Sequence, residues 1–191
     1  NVEVDARWCL VHATHMNAKE WRALAKTKAV VSLCPTTEAN LGDGFFPLAD
    51  FIKAKGRFAI GSDSNVSVSV CEELRWLEYG QRLKHQQRNI GASEKQPGVG
   101  QFLWQQVAKG GWQASGVEKR KDLVEWDAEA PALFGATEDD FAERAIFAGN
   151  RPMIKRVTAN GVVRVADGRH VFREPFEAGY KLAMQQLLAG N

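Results

Sequence analysis

The sequence predicts an α/β fold: parallel strand–helix units first, then a small antiparallel sheet and a closing helix. Three observations predict it. Short apolar runs at 7–12, 29–34 and 58–61 alternate with helix-like segments, the rhythm of βαβ units and a parallel sheet. Each run stops at residues that break a strand or carry chemistry: His12, Pro35 and Gly61-Ser62-Asp63. Beyond residue 120 the rhythm gives way to short runs separated by Asn160-Gly161 and Asp167-Gly168, dipeptides that suit tight hairpins.

Residues 7–12, Arg-Trp-Cys-Leu-Val-His, read as a buried parallel strand. Asn17 caps the next helix with Glu20 as its box partner, and Trp21, Leu24 and Ala25 share its inner face. Residues 29–34 form the second strand, and Pro35 ends it because proline removes a donor. The stretch 35–46 is expected as a long connection carrying Thr36, Thr37, Glu38, Asn40 and Asp43. Connections of that length at a strand end often line sites. Pro47 suits a first helical turn; Leu48, Phe51 and Ile52 supply the packed face, and Gly56 ends that helix.

The third strand, 58–61, precedes a helix over 71–84, with Glu72 and Glu73 near its start and Arg82 and Lys84 near its end. That order suits the helix dipole. Residues 86–98 read as a polar connection, and 99–109 as a second long helix loosened afterwards by Gly110, Gly111 and Gly116. In the tail, 122–126, 153–158, 161–166 and 170–173 are strand candidates. Thr137 caps a helix reaching 148, and 176–188 closes the chain with Tyr180, Met184, Leu187 and Leu188 on one face. Crossovers in the first part should be right-handed. The rhythm alone leaves open whether the sheet is open or part of a closed barrel.

The chain has 191 residues, 45% of them hydrophobic, enough for a sizeable core. A net charge of +2, from 25 basic and 23 acidic residues, gives no electrostatic footprint for nucleic acid or an anionic membrane. The cluster Lys119-Arg120-Lys121 is too short for a tail. Cys9, Cys34 and Cys71 are not a disulfide framework; the first two read as small core residues. A reducing, cytoplasmic setting is expected. There is neither a membrane-length apolar stretch nor a signal peptide pattern. The match of Asn65-Val66-Ser67 to a glycosylation sequon carries little weight. Asn1 is not a methionine and a strand begins within ten residues of it, so a longer parent protein is expected.

Chemistry concentrates where strands end. Asp63 stands at the mouth of the third strand, where a carboxylate can ligate a metal, accept a proton or cap the next helix. His12 ends the first strand and is better placed than His15 to face the same side. Imidazole can polarise a substrate atom or bind zinc. Together the two suggest water activation, although zinc usually takes three protein ligands. Glu38 could meet a substrate amine, cap a turn or face water. Phe45 and Phe46 read as core more readily than as pocket walls, and His85 and His170 as surface residues. Ser62 and Ser64 lack a nucleophile-elbow pattern, and no phosphate-binding loop follows a strand.

Leu10-Val11-His12-Ala13-Thr14-His15, Leu33-Cys34-Pro35-Thr36-Thr37-Glu38-Ala39-Asn40-Leu41-Gly42-Asp43-Gly44 and Ile60-Gly61-Ser62-Asp63-Ser64-Asn65 resemble the carboxyl-terminal part of the amidohydrolase superfamily. The helix Glu72-Glu73-Leu74-Arg75-Trp76-Leu77-Glu78-Tyr79-Gly80-Gln81-Arg82-Leu83 looks like its formimidoylglutamate deiminase branch, from histidine degradation. The resemblance is strong through residue 83 and traceable to about residue 173. It implies the last three strand–helix units of a metal-dependent (β/α)8 barrel over 1–115, and part of a small β-rich domain over 116–191.

It further implies that Asp63 is zinc ligand and general base, and that His12 contacts the substrate or the attacking hydroxide. One zinc ion per parent subunit is implied, as is a small-molecule substrate, N-formimidoyl-L-glutamate, hydrolysed by zinc-hydroxide attack. A homodimer is compatible with it. The family's His-x-His pair, and its later histidine with a nearby glutamate, have no counterpart in these residues. They are expected upstream of Asn1, in a missing amino-terminal part. The chain alone is therefore expected to be incomplete as an enzyme. The alternatives are deamination of an aminated heterocycle, or a non-catalytic structural or interaction fragment.

Overall fold

A computed structural model describes residues 2–65, 67–92, 98–117 and 122–190. The basic cluster at 119–121, Val66 of the sequon and residues 93–97 of the polar connection lie outside the described residues. The chain divides into two compact units: residues 1–119 with 131–150, and residues 120–130 with 151–191.

The first unit holds a parallel sheet in the order β1 (Cys9–Val11), β2 (Val30–Leu33), β3 (Arg57–Ile60). Val31 lies in register between Leu10 and Phe58, so all three strands end on one side. α1 (Ala18–Thr27) links β1 to β2. Its cap is the reciprocal box the spacing predicts: the Asn17 side chain accepts from Lys19 and Glu20 N–H, and the Glu20 carboxylate accepts from Asn17 N–H. Trp21, Leu24 and Ala25 are buried.

Residues 35–41, expected as part of a connection, are instead helix α2 (Pro35–Leu41). Proline occupies its first turn, where a missing N–H costs nothing, and Gly42 closes it at φ 74°. A seven-residue helix is too short to show a periodic apolar face. α3 (Leu48–Lys53) then precedes β3, with Leu48 and Phe51 buried.

α4 (Val70–His85) begins at Ser69, whose hydroxyl accepts from Glu72 N–H. Its buried Glu78 accepts from Ile90 and Gly91 N–H and from Arg82, so the charge is paired and bonded. α5 (Val99–Ser115) does not loosen at Gly110 and Gly111, as expected, but runs on to Gly116. Gly110 is required because α5 lies across β3: a Cβ there would sit 2.0 Å from the Phe58 carbonyl oxygen. α6 (Phe141–Phe147) closes the unit, its Glu143 carboxylate accepting from Gly100 and Gln101 N–H at the start of α5. The core joins Val31, Leu33, Phe46, Phe51, Phe58, Leu74, Leu103 and Ile146 between sheet and helices.

β1 departs from the expected buried strand. It is an edge with one neighbour among the described residues; Val11 and Cys9 are exposed, and only Cys34 is a core cysteine. An apolar run reports a preference for burial, not whether a neighbouring strand lies alongside.

The second unit holds an antiparallel sheet in the order β4 (Leu123–Trp126), β5 (Ile154–Ala159), β6 (Val162–Ala166), β7 (Arg169–His170). Both turn residues of Asn160-Gly161 and of Asp167-Gly168 have positive φ, as a two-residue hairpin turn of this hand requires. The last strand is shorter than expected, because α7 (Arg173–Ala189) begins three residues before Phe176. No residue of α7 is buried, and Tyr180, Leu187 and Leu188 are exposed. His170 stacks on Phe176 at 5.4 Å and accepts from Phe172 N–H.

Candidate functional site

The site lies in the first unit, where β1, β2 and β3 deliver their carboxyl ends to one face. His12 N–H donates to Ser32 O at 2.8 Å, so the ladder extends to the first residue past β1. His12 and Ala13 then take φ values of 63° and 52°. Two successive left-handed residues that are not glycine cost energy, and they turn the chain sharply where the imidazole must face inward. Across the face, Gly61 N–H donates to Leu33 O at 2.9 Å, and Asp63 follows at φ 46°. Asp63 does not cap α4, whose cap is Ser69.

Three consecutive residues of α2 hold the arrangement together. Thr36 is bonded to Glu73 of α4. The Thr37 hydroxyl lies 3.2 Å from Ser62 O and 2.9 Å from Ser64 Oγ, the residues on either side of Asp63. Glu38 is only 6% exposed; its Oε1 accepts Cys34 N–H at 2.8 Å and lies 3.2 Å from His12 Nδ1. The sequence points to His12 and Asp63, leaves Glu38 open among three roles and does not single out Thr37. The available signal was their place immediately after a strand end, blurred by the expectation of a loop there.

His12 Nε2 lies 3.7 Å from Asp63 Oδ2, close enough to share a ligand and too far for a direct hydrogen bond. His12, Cys34 and Asp63 each bring a ligand atom within 4.8 Å of the others. Nitrogen, sulfur and carboxylate oxygen are all donors that zinc accepts. Burial, and then the nearby Glu38, Asp63 and Glu73 carboxylates, push the Cys34 thiol up to about 12. To ligate a metal the thiol would have to give up this proton, since the thiolate is what binds. Burial likewise raises Glu73 above the usual carboxylate range, against the pull of its Thr36 hydrogen bonds. An open recess beside the site is lined by His12, Ala13, Thr14, His15, Glu20 and Asp43. Phe45, half exposed, and Phe46, buried in the core, both line a smaller pocket with Trp76. His85 ends α4 in an exposed position, away from this constellation.

Residues 2–96 match the amidohydrolase family. The chain is 46% identical to the formimidoylglutamate deiminase of Pseudomonas aeruginosa, over 98% of its own length and 43% of that enzyme's. It superimposes on a crystal structure of an amidohydrolase from Brucella melitensis with a TM-score of 0.90 and 42% identity, covering 98% of this chain and 42% of that one. A zinc-bound adenosine deaminase from Xanthomonas campestris shares the fold at a TM-score of 0.78 and 20% identity, over 97% of this chain and 44% of that one. The chain thus spans less than half the length of the relatives it matches. Its parallel units are part of a (β/α)8 barrel, joined to a small β-rich domain. On sequence and fold together, the chain belongs to the amidohydrolase family.

Proposed function

We propose that the protein containing this chain hydrolyses the formimidoyl C–N bond of N-formimidoyl-L-glutamate, giving N-formyl-L-glutamate and ammonia. The observation that carries this reading is the 46% identity, sustained over 98% of the chain, to an enzyme named for that substrate. The reading also places the protein in histidine degradation, in the cytoplasm, where its free cysteines stay reduced.

The donor set fits a metal in part. Asp63 would hold a zinc ion, with His12 Nε2 facing the same space and further ligands coming from outside this chain. A bound zinc ion would supply Lewis acidity and make water ionise near neutral pH. Asp63 accepts a proton from the attacking water as its oxygen bonds to the formimidoyl carbon. The same carboxylate hands that proton to the imino nitrogen, then relays the hydroxyl proton of the tetrahedral centre to the same nitrogen as its C–N bond breaks, leaving the formyl C=O and ammonia. His12 Nε2 accepts a hydrogen bond from the attacking water and orients it toward the formimidoyl carbon. Two such residues do not complete a zinc site, so residues 1–191 alone are inactive under this reading.

The test is ammonia release from N-formimidoyl-L-glutamate by the full-length protein, replete with zinc. No release, together with turnover of an aminated purine, would replace this reading with deamination of a heterocycle.

A further inference from the structure

We propose that Glu38 is a positioning residue that fixes the His12 ring with its proton on Nδ1, leaving the Nε2 lone pair toward Asp63. A carboxylate oxygen offers only acceptor capacity, so the 3.2 Å approach of Glu38 Oε1 to His12 Nδ1 is a hydrogen bond when Nδ1 carries the proton. Nε2 is then the basic nitrogen, 3.7 Å from Asp63 Oδ2. Glu38 is itself held: its Oε1 also accepts Cys34 N–H at 2.8 Å, across the start of α2. A buried carboxylate needs such partners. Capping α2 accounts for the Cys34 bond but not for the approach of the imidazole, which comes from a different strand. Second partners of this kind select the tautomer and hold the ring plane of a functional histidine.

This inference rests on the reading of His12 as a substrate-facing residue, but its test does not depend on the substrate. The full-length protein is labelled with 15N-histidine, and the His12 signals are assigned by their loss in His12→Asn. The native protein should show His12 as a single Nδ1–H tautomer. Glu38→Asp keeps the charge but withdraws the carboxylate by one methylene; it should give mixed or exchanging His12 tautomers and a roughly 10- to 100-fold lower kcat with KM little changed. Glu38→Gln retains a carbonyl oxygen that can accept from Nδ1–H and should restore the single tautomer. An Nε2–H tautomer in the native protein overturns the proposal on its own, whatever the variants do. So does an unaltered His12 spectrum in a folded Glu38→Asp protein. Failure to release ammonia from N-formimidoyl-L-glutamate, with the tautomer pattern intact, would refute the deiminase reading and leave the positioning role standing.

Discussion

Glu73 of α4 accepts two hydrogen bonds from Thr36, at 3.0 Å from its backbone N–H and 2.5 Å from its hydroxyl, while only 2% exposed. The pair ties α4 to the start of α2, directly beside the residues that hold His12 and Asp63. Burial raises the Glu73 carboxyl above its ordinary value of 4.5 more than the Thr36 bonds lower it. A raised acid binds its proton more tightly in the folded state than in the unfolded one. Its contribution to stability is therefore fully present below the unfolded value and is lost as pH rises through the folded one. Glu73→Gln can still bond both Thr36 groups and removes the titration. Denaturant unfolding of the full-length protein should show a smaller loss of stability on raising pH from 4.5 to 7 in Glu73→Gln than in the native protein. An unchanged slope would show that Glu73 does not titrate abnormally.

Asp63→Asn in the full-length protein should lower kcat by at least about 10³-fold while leaving the unfolding transition in place. The amide keeps the shape but is a poor metal ligand and cannot take a proton from water. Asparagine would serve almost as well if the residue were a helix cap, and Ser69 already fills that role for α4. Measuring kcat and bound zinc together checks it; near-native turnover would remove Asp63 from the chemistry.

Thr37→Val tests whether the Asp63 loop is held from α2. Valine matches threonine in shape but cannot bond Ser62 O or Ser64 Oγ. The loss should be about 1–2 kcal/mol of stability, with kcat reduced about tenfold or more because the carboxylate is less well placed. Native kcat with lowered stability would confine Thr37 to a structural role.

Much of this was legible in the sequence, for reasons that also mark where legibility ends. The α1 cap was readable because Asn17 and Glu20 act over three residues. The two hairpins were readable because Asn-Gly and Asp-Gly tolerate positive φ. His12 and Asp63 stood out as chemical groups at strand ends. Glu38 and Thr37 did not, because their partners lie 26 and 25 residues away and only the fold brings them together. The continuation of α5 through Gly110 was hidden too: glycine reads locally as a helix breaker, whereas here it permits a close helix–strand crossing. The exposure of Cys9 was hidden because burial of β1 depends on what lies beyond its outer edge.

That outer edge gives the last prediction. β1 pairs only with β2 among the described residues; Val11 is 55% exposed and Trp8, just before it, 41%. An unpaired strand edge flanked by apolar side chains is a template for pairing with another chain. Residues 1–191 expressed alone should therefore self-associate in a concentration-dependent way and hold well under one zinc per chain. Val11→Lys should reduce that association, since charge on an edge strand blunts pairing. The same substitution in the full-length protein should be destabilising, if a neighbouring strand covers this position there. Light scattering and metal analysis on the fragment decide the first part. A stable monomer carrying near-stoichiometric zinc would show that the described strands and ligands suffice by themselves.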